Sequence, residues 1–165
     1  MKPYQQLPIH ECGESLVAIP KDQFAFQQPH LYQSLGAPYG DASPFWLRES
    51  VLKRLIDAQA HLQQRCSNWR IQIFDAYRPV AVQQFMIEHT LAEIAQAQGL
   101  NSQHLSASQR QALLEQVYQI WAVPSLDPAM PPPHSTGGAV DVSLVDSAGQ
   151  VVFMGSPIDE LSERS

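Results

Sequence analysis

Trp69-Arg70-Ile71-Gln72-Ile73-Phe74-Asp75-Ala76-Tyr77-Arg78-Pro79 changes its period part-way. Trp69, Ile71 and Ile73 alternate with Arg70, Gln72 and Phe74, the two-residue repeat of a strand whose first set faces a core. Pro79 cannot donate to a sheet ladder, but its fixed φ suits the opening of a helix. Val82, Phe85, Met86 and Ile94 supply that helix with an apolar face, and Gly99 supplies its stop. Arg78 therefore stands where a strand hands over to a helix.

Upstream, Ser43 is an N-cap candidate and Pro44 fits a first helical position, and Leu47, Val51, Leu55 and Leu62 recur at helical spacing. A helix is expected from there to about Cys66-Ser67-Asn68. The first forty or so residues have no sustained period and read as an extended arm with short strands. Downstream, Ser106 and Gln109 have capping-box spacing, with Leu113, Leu114, Val117, Ile120 and Trp121 as the apolar face of a third helix that Pro124 ends. Val140, Val142 and Leu144 alternate with Asp141 and Ser143, and Asp146-Ser147-Ala148-Gly149 leads into Val151-Val152-Phe153, the pattern of a β-hairpin. These elements give an α+β fold: a small antiparallel sheet made from the 69–74 strand and the hairpin, covered on one side by three helices.

The 165 residues fit one domain with one core, and 44% hydrophobic against 16% charged residues is the balance of a folded chain. A net charge of -6 without a basic run argues against nucleic acid or an anionic membrane as partner and favours a small molecule or peptide. No stretch is apolar enough for a signal peptide or a bilayer span, so a cytoplasmic location is the expectation. Cys12 and Cys66 are too few and too far apart for a disulfide framework and are expected to be unpaired.

The chemistry concentrates in His134-Ser135-Thr136-Gly137-Gly138-Ala139-Val140-Asp141. Imidazole and carboxylate are both zinc ligands. Fully extended, the seven steps between them would cover about 23 Å at roughly 3.3 Å per residue, too far to share one ion. The loop must double back, and Gly137-Gly138 is where glycine's freedom allows it. Asp141 also points away from the face formed by Val140, Val142 and Leu144, into solvent or a polar cleft. Taken alone, His134 capping a loop and Asp141 facing water would account for both residues.

His134-x-x-Gly137-x-Ala139-x-Asp141 resembles the metal motif of the D-alanyl-D-alanine peptidases that share a fold with the hedgehog signalling domain. Asp75-Ala76-Tyr77-Arg78-Pro79 and the tail Met154-Gly155-Ser156-Pro157-Ile158-Asp159 through Ser165 resemble the dipeptidase branch, which includes the vancomycin-resistance dipeptidases. The resemblance implies a zinc-dependent enzyme that hydrolyses the dipeptide D-alanyl-D-alanine. His134 and Asp141 would be two of three protein ligands to one Zn2+. Arg78 would lie beside the scissile carbonyl, where a fixed cation stabilises a developing oxyanion more than the neutral ground state. Asp159 would lie near the substrate's free amino terminus.

Two departures accompany the match. The family completes its site with a later Glu-x-x-His segment, whose His is the third ligand and whose Glu is the general base. This chain stops at Ser165, and loss of a short carboxy-terminal segment is the expectation. His10, His30, His61, His89 and His104 have no Glu three residues upstream and offer no replacement. Pro132 occupies the motif's serine position and has no hydroxyl; it stiffens the approach to His134 instead. A non-catalytic metal- or peptide-binding module of the same fold, and a carboxypeptidase acting on longer wall peptides, are the alternative readings.

Overall fold

The computed structural model describes residues 9–156. In chain order the elements are β1 (Leu16–Ala18), β2 (Ala25–Phe26), a single helical turn α1 (Leu31–Ser34), β3 (Trp46–Arg48) and α2 (Glu49–Arg65). They continue with β4 (Arg70–Asp75), α3 (Val80–Ala97), α4 (Ala107–Ile120) and β5 (Asp141–Val145). Short 3-10 turns cover Ser102–His104 and Pro133–Thr136. The α+β class is as expected.

Strand β4 is the centre of a three-stranded sheet in the order β2-β4-β5. The β4–β5 pair is antiparallel, whereas β2 runs parallel to β4, so the sheet is mixed rather than wholly antiparallel. Its two-residue partner leaves part of β4 without a ladder. Gln59 of α2 substitutes for one: its amide accepts from the Ile71 N–H at 2.7 Å and donates to the Trp69 carbonyl at 3.0 Å. A buried glutamine there answers the requirement that buried backbone groups find partners.

The alternation of β4 feeds two apolar clusters. Ile71 and Ile73 join Ile19, Phe24, Leu47, Leu55 and Ala76. Phe74, on the opposite face, packs against the cluster that α3 and α4 build from Val82, Met86, Leu91, Leu113 and Val117 together with Tyr32 and Trp121. Helices therefore meet both faces of β4, not one. Cys12 and Cys66 are free thiols, as expected.

Three local readings are corrected. Ser43-Pro44 does not open a helix: Ser43 Oγ accepts from the Phe45 N–H at 3.2 Å in a tight turn, and residues 46–48 form β3, antiparallel to β1. Leu47 is fully buried from that strand, and α2 begins at Glu49 without a side-chain cap. The hairpin after β5 is minimal. Its Asp146–Gly149 turn forms, and among the described residues it is followed by the Asp146 N–H to Gln150 carbonyl bond, a Val145–Val151 bridge and the Val152 N–H to Leu144 carbonyl bond, with Phe153 exposed. Val140 and Leu144 pack against the first cluster while Val142 is exposed, so the three do not share one buried face.

Other expectations hold. The helix after Pro79 and its stop near Gly99 are present. Ser106 and Gln109 form the reciprocal capping box of α4. No helix among the described residues is long and apolar enough to cross a membrane.

Candidate active site

The core-facing alternation of β4 runs on past Ile71 and Ile73 to Asp75, which is fully buried. A carboxylate in that place must be matched by donors, and four converge on it. Oδ2 accepts from Arg78 Nε at 2.9 Å and Nη2 at 2.7 Å; Oδ1 accepts from the Tyr39 hydroxyl at 3.1 Å and lies 3.1 Å from His30 Nε2. His30 Nδ1 accepts from the Gln33 N–H, so Nε2 carries the ring proton and donates to Asp75. Burial alone would push the Asp75 carboxyl up, but His30, Arg78 and His134 outweigh it and hold it below the ordinary value. The same burial, and then the Asp75 charge, push the Tyr39 phenol far up, keeping it a donor.

Arg78 is buried against an aromatic corner, its guanidinium carbon 4.9 Å from the Tyr32 ring centre and 5.0 Å from that of Trp121. Burial opposes its charge, and Asp75 more than restores it. Pro79 turns the chain into α3 directly afterwards, so the guanidinium is held by the strand end and the first helical turn together.

The His134 loop is tied to the same segment. The Arg78 N–H donates to the His134 carbonyl at 3.2 Å, Ser135 Oγ donates to the Arg78 carbonyl at 2.7 Å, and His134 Nδ1 lies 2.7 Å from the Ala76 carbonyl. A carbonyl only accepts, so Nδ1 carries a proton and Nε2 is the nitrogen turned outward. The chain doubles back through the 3-10 turn Pro133–Thr136, which follows a fully buried Pro132 and ends at Gly137 with φ 73°. Of the two glycines proposed for this bend, only Gly137 takes positive φ.

Gly137 is also pinned from outside. Its carbonyl accepts from the Arg48 N–H at 2.9 Å, and the Arg48 Nε donates to the Thr136 carbonyl at 2.9 Å. The Arg48 guanidinium also binds the Glu14 carbonyl and the Glu11 carboxylate. A Cβ on Gly137 would run into the Leu16 side chain and press on Arg48 Cγ at 3.3 Å. Gly137→Ala is expected to lose about 1–2 kcal/mol from the left-handed backbone alone, plus the cost of this overlap. Chemical denaturation would read this as a lowered midpoint; an unchanged midpoint would refute the steric reading.

On β5, Asp141 stands directly across from Asp75 in the strand register. Like charges opposite one another are unfavourable, and cationic groups lie between them. Asp141 Oδ2 is 3.4 Å from His134 Nε2 and 3.8 Å from Arg78 Nη2. Burial pushes the His134 imidazole down, but the hydrogen bond to Asp141 and the carboxylates around it raise it above its ordinary value overall. One ligand atom each from Asp75, His134 and Asp141 lies within 4.8 Å of the others, the spacing of a metal-binding group. Asp75 already accepts four hydrogen bonds, which fills the lone pairs of a carboxylate. His134 Nε2 and Asp141 Oδ2 are thus the pair with electron density to give, and an N/O pair of this kind fits zinc.

Comparison with known proteins bears on this arrangement. A family profile described as D-ala-D-ala dipeptidase matches residues 26–165, a span that takes in both strands and the loop of the site. The chain belongs to that family. It is similar to a D-alanyl-D-alanine dipeptidase of Synechocystis sp., with 51% identity over all 165 residues, covering 67% of that protein's length. No solved structure matches. Membership makes the chain a member of a peptidase family.

The structure brings His134 Nε2 to 3.4 Å and Arg78 Nη2 to 3.8 Å from Asp141 Oδ2. Asp159 lies outside the described residues. The sequence reading passed over Asp75, although the alternation of 71 and 73 pointed to it. It passed over His30, Tyr39, Gln83 and Trp121 as well, which reach Asp75 or Arg78 from the aperiodic arm, the first turn of α3 and the end of α4.

Proposed function

We propose that the site is that of a zinc-dependent D-alanyl-D-alanine dipeptidase, with His134 Nε2 and Asp141 Oδ2 as metal ligands. The observation that carries this reading is the facing of those two atoms at 3.4 Å beside the Arg78 guanidinium. When bound there, zinc supplies Lewis acidity toward a carbonyl and lowers the pKa of water. The protein's own contributions are distinct. The Ala76 carbonyl holds the His134 Nδ1 proton, so Nε2 is the ring nitrogen that would be offered to a metal in place of its proton. Asp75, held unprotonated by its four donors, keeps Arg78 charged and turned toward Asp141. Three of the five guanidinium N–H groups are taken among the described residues, which leaves one on each terminal nitrogen for a developing oxyanion. The name of the Synechocystis relative and the resemblance of the 154–165 tail support a dipeptide substrate. Asp159 would face its ammonium group.

A second reading, a module that binds metal without hydrolysis, is favoured by one observation. The two carboxylates that the described residues bring to His134 are both committed, Asp75 to its donors and Asp141 to the ligand position. Neither is free to accept a proton from water.

Calorimetry with zinc, paired with a D-alanine release assay, separates these readings. Zinc binding with zinc-dependent release of D-alanine from the dipeptide supports the first, and binding without release supports the second. His134→Ala is expected to weaken zinc binding by more than the ~100-fold typical of changes outside the ligand shell. Equal zinc affinity in that variant would sink both.

A further inference from the structure

Arg78 sends both Nε and Nη2 to a single oxygen, Asp75 Oδ2, at 2.9 and 2.7 Å. Two bonds to one atom form a pivot, unlike the fork in which each nitrogen meets its own oxygen. The aromatic groups do not stop rotation about that pivot. Tyr32 and Trp121 have ring centres only 5.8 Å apart, so they form a corner on one side of the guanidinium and do not sandwich it. A third fixed point is needed, and Gln83 provides it. Its Oε1 accepts from Arg78 Nη1 at 2.9 Å, while its Nε2 donates to the Ala122 carbonyl at 2.7 Å. Gln83 is 1% exposed, and both ends of its amide are engaged, so its orientation has no alternative that keeps both bonds.

We propose that Gln83 is a positioning residue: it locks the rotation of the Arg78 head about Asp75 by bracing it against the segment that follows α4. That segment acts twice, since Trp121 touches the guanidinium face and Ala122 holds the brace. Trp121 is itself fixed by its indole N–H, which donates to Thr90 Oγ1 at 2.9 Å. The end of α4 thus sets where the remaining N–H groups of Arg78 point. The kinetic consequence rests on the role given to Arg78 above; the locked orientation does not.

The test uses Gln83→Met, which keeps length and volume but neither hydrogen bond, and Gln83→Glu, which keeps the acceptor for Nη1. Nitrogen-15 spectra of the full chain report Arg78 directly, with Arg78→Lys identifying its signals. A braced head gives separate terminal-nitrogen signals because rotation is slow. Because Asp75 still holds Nε and Nη2, Gln83→Met is expected to shift and broaden the Nη1 signal, and Gln83→Glu to restore it. With the dipeptide and zinc, Gln83→Met is expected to lower kcat on the order of ten- to a hundredfold, the scale of a small misplacement, with KM within about twofold. A residue that only satisfies a buried carbonyl would leave the Arg78 spectrum alone. Unchanged signals in Gln83→Met, or identical spectra for the Met and Glu variants, would overturn the proposal. If wild type releases no D-alanine, the dipeptidase reading falls and the spectra still decide the brace. Should Gln83→Met fail to fold, Gln83→Asn, one methylene too short to span Arg78 and Ala122, gives the same spectral reading.

Discussion

Asp75→Ala is expected to lower the stability of the fold by about 3–5 kcal/mol, because it leaves the buried Arg78 guanidinium without its counter-charge. It also orphans the Tyr39 hydroxyl and the His30 N–H that Oδ1 now receives. Urea unfolding of wild type and variant measures the gap; a difference below about 1 kcal/mol, the scale of an exposed pair, would show that the four donors do not depend on this carboxylate. The sign of its pH dependence follows from the lowered carboxyl pKa. The folded value lies below the unfolded 3.8, so the stabilisation is fully present above 3.8 and is lost as pH falls through the folded value. Wild type and Asp75→Asn should accordingly differ by a constant amount near neutrality and converge only in strong acid.

Arg78→Lys tests the chemistry with less damage to the fold, since a lysine keeps a positive charge opposite Asp75. An ammonium cannot reproduce the planar set of bonds to Asp75 Oδ2 and Gln83 Oε1 while presenting further donors toward Asp141. If Arg78 stabilises an oxyanion, kcat for the dipeptide should fall by about 10²–10³-fold with KM little changed. Steady-state kinetics with saturating zinc read both constants. A rise in KM at constant kcat would instead make Arg78 a substrate anchor.

How much of this was legible depended on how local each signal was. The α4 cap could be read because Ser106 and Gln109 satisfy each other within one turn. The strand-to-helix hand-over at Asp75–Pro79 could be read because period and proline both change there. Ser43-Pro44 misled because its local preference for a helix start was overridden by a pairing with β1, some thirty residues earlier in the chain. Asp75 breaks the rule that core-facing strand positions are apolar, and only its partners justify it. One of them, Arg78, sits three residues away in a quoted motif; His30 and Tyr39 come from an arm with no period to read. The ligand pair was visible as residue types, but its convergence needed the Pro133–Thr136 turn and the strand register that sets Asp141 across from Asp75.

Arg48 joins the β1–β3 ribbon to the Thr136 carbonyl across 88 residues of sequence. During synthesis at about 5–20 residues per second, that guanidinium leaves the ribosome roughly 4–18 s before its acceptor exists. The imidazole loop therefore cannot be clasped until well after the β1–β3 ribbon has been synthesised. Nascent chains arrested before residue 136 would carry the arginine of the clasp with its Glu11 and Glu14 partners, but not the loop it fastens.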